Sequence, residues 1–102
     1  MTAPADWSHY RCDDYFNSDL PRCGWWDEAS QCQYIEPARH LVEREEKRFL
    51  VIGRPGVDGI EWGYRSGLEG VWAYYPIDDA FVWLAPSAAD LREGYASGRI
   101  TV

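Results

Sequence analysis

From Phe49 to Ala85 the chain breaks into short apolar or alternating runs separated by reversing turns, and that punctuation calls for an antiparallel meander. "FLVIG", residues 49–53, is a continuous apolar run closed by Gly, the pattern of a buried strand. "RPGVDG" places Pro and Gly where a chain turns back. "IEWGYR" then alternates: Ile60, Trp62 and Tyr64 share one side, and Glu61, Gly63 and Arg65 the other. After "SGLEG", the runs "VWAYY" (71–75) and "AFVWLA" (80–85) flank the turn "PIDD". Alternation sets Val71, Ala73 and Tyr75 against Trp72 and Tyr74, and Ala80, Val82 and Leu84 against Phe81 and Trp83. Both faces of this hairpin are therefore apolar or aromatic. One can cover a core; the other needs a second cover or serves as a binding surface.

The flanks are helical in pattern. "EPARHLVEREEKR", residues 36–48, has Pro37 at a first helical position and Ala38, Leu41 and Val42 on one side. Glu43 stands four residues before Lys47, and Lys47 and Arg48 close the last turn, so the spacing predicts a helix. Ser87 with Asp90 three residues on reads as a capping box. It opens a second helix with Ala88, Leu91 and Tyr95 on one face and Gly98 as its stop. Residues 1–8 read as a loose start. His9 to Gln33 reads as turns and short extended pieces around Tyr15, Phe16, Trp25 and Trp26, with Tyr34–Ile35 ending a short strand. At 102 residues the chain suits one domain, 1–102. The class is α+β: a twisted antiparallel sheet of about four to five strands with two or three helices on one side.

Seventeen acidic against ten basic residues give a net charge of −7, which argues against a phosphate backbone or an anionic membrane as partner and suits a basic one. Cys12, Cys23 and Cys32 lack the spacing of a disulfide framework, and no secretory leader follows Met1, so a reduced, cytoplasmic protein is expected. The same cysteines with His9 and His40 form no zinc knuckle, their intervals being ten and eight residues, so no metal or other cofactor is expected. No nucleophile motif surrounds any Cys or Ser. The acidic pairs Asp13–Asp14, Asp27–Glu28 and Asp78–Asp79 read as solvated turn carboxylates, because sequence neighbours seldom converge on one reacting atom. "GRPGVDG" leads into a strand, whereas a phosphate loop leads into a helix.

The ordered set "YIEPARHLVE", "FLVIGRPGVDGIEWGYR" and "GVWAYYPIDDAFVWLAPSAADLREGYASG" resembles the SUKH superfamily, the Smi/Knr-type domain of bacterial toxin-immunity proteins and a yeast cell-wall regulator. The resemblance runs from Tyr34 to Ser97. It implies an α+β fold and a non-enzymatic role in which the domain binds and blocks a cognate toxin. A basic toxin would meet Trp72, Tyr74 and Trp83 as anchors and Asp78 and Asp79 as counter-charges, with Glu61 and Glu69 at the rim. Two other readings stay open: a small-molecule or glycan-binding module, or minor enzyme, with an aromatic-lined pocket, and an interaction subunit of a cellular assembly.

Overall fold

A computed structural model describes residues 3–102. Seven strands form one antiparallel sheet, more than the sequence pattern suggested, and the protein is α+β. The strands are β1 (Trp25–Asp27), β2 (Cys32–Ile35), β3 (Val42–Arg44), β4 (Phe49–Gly53), β5 (Glu61–Arg65), β6 (Val71–Tyr75) and β7 (Ala80–Ala85). Their order is β1-β2-β4-β5-β6-β7, with β3 pairing β4 beside β2. The helices are α1 (Asp13–Phe16), α2 (Leu20–Cys23) and α3 (Ala88–Ala96).

The meander from β4 to β7 lies where the turn punctuation put it. Its registers match the predicted alternation: Trp62 faces Ala73, which faces Val82, while Gly63 faces Trp72, which faces Trp83. The face carrying Leu50, Ile52, Trp62 and Tyr64 is sealed by Tyr15 and Phe16 of α1, Leu20 of α2, and Ala88 and Leu91 of α3. Trp62, fully buried, donates its indole N–H to the Tyr34 carbonyl at 2.8 Å. Its ring lies 5.1 Å from that of Tyr95. Ser87 caps α3 as expected, accepting from Asp90 N at 3.1 Å, and Gly98 leaves the helix at φ +81°.

The predicted helix over 36–48 does not form. Ala38–His40 is a 3-10 turn, Val42–Arg44 is β3, and Glu45–Lys47 is a second 3-10 turn. Tertiary pairing overrides helical spacing: Val42, Glu43 and Arg44 lie opposite Val51, Leu50 and Phe49 on an edge that β2 leaves open. Glu43 then receives the Trp7 indole N–H at 3.1 Å and the Tyr10 hydroxyl at 2.8 Å, contacts that fix the segment. Residues 1 and 2 of the expected loose start lie outside the described residues; Ala5–Tyr10 is a 3-10 helix with Tyr10 buried. The expected ring cluster of the N-terminal third divides. Tyr15 and Phe16 stack edge-on at 4.9 Å, Trp25 joins Tyr34 and Tyr95, and Trp26 faces solvent.

Asp14 ties these layers together. Its Oδ2 accepts from the buried Tyr64 hydroxyl and from Ala88 N, each at 2.8 Å. Burial, reinforced by the Asp14 charge and hydrogen bond, pushes the Tyr64 phenol far up, so it stays a neutral donor. This carboxylate is structural, not the solvated turn group that its position in an acidic pair suggested.

Candidate functional site

Among the described residues, none of the three α-helices packs on the opposite face of the sheet. Its residues form a small second cluster, Phe49, Val51 and Tyr74, with Trp72 and Phe81 packed against it. Phe81 lies 5.1 Å from Phe49 and 4.9 Å from Tyr74. One row crosses the sheet here: Val42, Val51, Gly63, Trp72 and Trp83. Trp83 ends that row at the β7 edge and is 50% exposed. Gly70 makes room for it: a Cβ there would sit 2.5 Å from the Trp83 Nε1, and its φ of +87° also favours glycine. Trp72 is held by its N–H donating to the Glu69 carbonyl at 3.1 Å.

Cations lie over this face. The Arg65 guanidinium sits 4.1 Å from the Phe81 centroid and 4.8 Å from the Trp72 ring. Lys47 lies 4.8 Å from the centre of the Tyr74 ring. Of the expected site residues, Glu61, Trp72, Tyr74 and Trp83 share this face, while Glu69 stands in the β5–β6 turn and Asp78 and Asp79 in the β6–β7 turn, and their duties differ. Tyr74 is buried, and its hydroxyl donates to Asp79 Oδ1 at 2.5 Å. That bond first, then Lys47, holds the Asp79 carboxyl below its ordinary range. Glu61 is mostly covered and pairs with Arg44 at 2.6 Å and Arg54 at 3.7 Å. The hydrogen bond to Glu61 raises Arg44 further. Glu61 and Asp79 therefore do not form the free acidic fringe expected of them: local cations reach both. Glu69 is a well-exposed rim group 3.4 Å from Arg11, and Asp78 is exposed.

Sequence reasoning missed Ile77. It stands 85% exposed at the β6–β7 turn, and with Asp78, Asp58 and Tyr75 it lines an open hollow of about 330 Å³. An apolar residue inside the otherwise polar turn "PIDD" was the available signal. A second open hollow, about 360 Å³, lies between Lys47, Glu61 and Tyr74.

Elsewhere, Cys12 is buried, which pushes its thiol up to about 12, and Cys23 and Cys32 are free. Ser66 Oγ lies 2.8 Å from His9 Nδ1 and 3.4 Å from Arg48 on the exposed β5–β6 turn. Among the described residues, no group of three or more His, Cys, Asp or Glu could hold a metal, and no helix is long and apolar enough to cross a membrane. No protein-family model, curated protein or solved structure matches the chain.

Proposed function

We propose that this is a non-enzymatic protein-binding domain of the immunity type, whose helix-free sheet face takes a cognate toxin. The observation that carries the reading is Trp83, half exposed beside Trp72, Phe81 and the stacked Arg65. Trp, Tyr and Arg are the residues that most often dominate binding energy, and they act best when a supported ring is desolvated by the partner. Support is already built around it: Phe49, Val51 and Tyr74 form a floor under the neighbouring Trp72 and Phe81, and Gly70 seats the Trp83 indole edge. Ile77 supplies a second apolar contact on the neighbouring turn. The exposed Asp58, Asp78 and Glu69, with the net charge of −7, would draw in a basic partner, while Arg65 and Lys47 would pair with acidic groups inside the contact.

The reading expects a toxin domain to be encoded beside the chain's own gene, and co-expression with the product of that neighbouring gene tests this. The unaltered chain is expected to restore growth and to co-purify with the toxin at one to one. A Trp83→Ala, Ile77→Ala double variant of unchanged thermal stability is expected to do neither. Full protection by that variant would overturn the reading.

A further inference from the structure

The sheet ends in edges of two kinds. β1 has three residues, a register irregularity between Trp25 and Trp26, and the charge of Asp27. β3 also has three residues, and two of them, Glu43 and Arg44, are charged. Shortness, bulges and charge are the usual means of keeping a sheet edge from pairing with a foreign strand. β7, the last strand of the sheet order, is neither short nor charged, and its one irregularity is confined to its C-terminal end, where Leu84 is an extra residue between the Trp72–Trp83 and Val71–Ala85 pairs. It is the longest strand, six residues reading "AFVWLA", with no charge and no Pro, in a chain that is 26% charged. Its two most exposed side chains point to opposite faces: Val82 is 46% exposed on the helix side and Trp83 on the other. A strand laid alongside would cover both at once.

We propose that β7 is a homodimerisation edge, where a second copy of this chain adds its own β7 antiparallel across a two-fold axis normal to the sheet. Such an axis keeps each face continuous from one copy to the other. Centred on Trp83, it extends the row Gly63–Trp72–Trp83 through the axis and sets the indoles of Trp72 and Trp83 from each copy side by side. It also brings the exposed Val82 of each copy onto the second copy's edge on the helix side, next to Leu84, where the β6–β7 register slips. The lack of charge in residues 80–85 permits this despite the net charge of −7, because no carboxylate of the strand faces its equivalent. A single edge falls short of the roughly 800 Å² per partner of a standard interface, so the dimer exchanges, with Kd on the order of tens of micromolar. The inference does not rest on toxin binding.

Sedimentation from about 1 to 300 µM tests it, since that range brackets the expected Kd. The mass is expected to rise from 11.8 kDa toward twice that value, and the amides of residues 80–85 to exchange more slowly at the high end. Val82→Lys, which leaves the outer face intact, is expected to raise the Kd at least about tenfold. Val57→Lys, at an equally exposed valine in the β4–β5 turn, is expected to leave it unchanged. Circular dichroism checks that both variants fold; should Val82→Lys unfold, Val82→Thr takes its place with a smaller expected shift. A mass of 11.8 kDa throughout, a mass curve indifferent to Val82→Lys, or dimerisation without slower exchange at 80–85 would each overturn it.

Discussion

The two faces of one sheet differ in what holds their aromatic rings. On the helix side, Trp62 and Tyr64 are fully buried, and their polar atoms are satisfied by Tyr34 and Asp14. On the other side, Trp72 and Phe81 lie on a thin floor beneath Arg65, and Trp83 stands half exposed beside them. Alternation along each strand feeds both faces with rings, so composition cannot tell them apart. The difference lies in where the helices attach. A ring whose polar atom has a protein partner and whose faces are covered stabilises the fold. A ring supported from below and open above stabilises little and is free to be covered by something else.

Substitutions sharpen this contrast. Trp62→Ala is expected to cost about 4 kcal/mol in denaturant unfolding, from lost burial and an empty cavity. Asp14→Ala strands the buried Tyr64 hydroxyl and removes the acceptor for Ala88 N, with an expected loss of about 2–3 kcal/mol. Gly70→Ala is expected to cost about 1–2 kcal/mol through its positive φ and to displace the Trp83 ring, visible as a change in near-ultraviolet circular dichroism. Trp83→Ala is expected to change stability by only about 0.5 kcal/mol. Equal losses for Trp62→Ala and Trp83→Ala would erase the distinction between the faces.

The smallest effect concerns Asp79. Its carboxyl is depressed in the folded state by Tyr74 and then Lys47, so its contribution is present above the unfolded value and lost as pH falls through the folded one. The thermal stability of Asp79→Asn is therefore expected to lie slightly below that of the unaltered chain near neutrality and to converge with it well below pH 4. Parallel curves down to that range would show that the Tyr74–Asp79–Lys47 contact adds nothing.

The meander and α3 were legible because each is specified locally. Turn residues bracket β4 to β7, strand alternation sorts Trp62 from Trp72, and Ser87 with Asp90 marks the helix start. The segment 36–48 was not. Ala38, Leu41 and Val42 satisfy a helical period, and only the open flank of β4, formed by distant residues, selects a strand at Val42–Arg44. The site divides the same way. Placing Trp72, Tyr74 and Trp83 on one side follows from alternation. The fate of Glu61 depends on Arg44 and Arg54, seventeen and seven residues away in sequence, and its pairing converts an expected recognition carboxylate into a local ion pair. Asp14 was misread for the same reason: the groups it holds come from β5 and α3.

Hydroxyl-radical footprinting of the six tryptophans at low protein concentration bears most directly on whether one face is sealed and the other wet. Trp26 and Trp83 are expected to be modified first, Trp7 and Trp72 more slowly, and Trp25 and Trp62 only on unfolding. A Trp83 as resistant as Trp62 would mean that the helix-free face is closed, and the binding surface proposed on it would not exist.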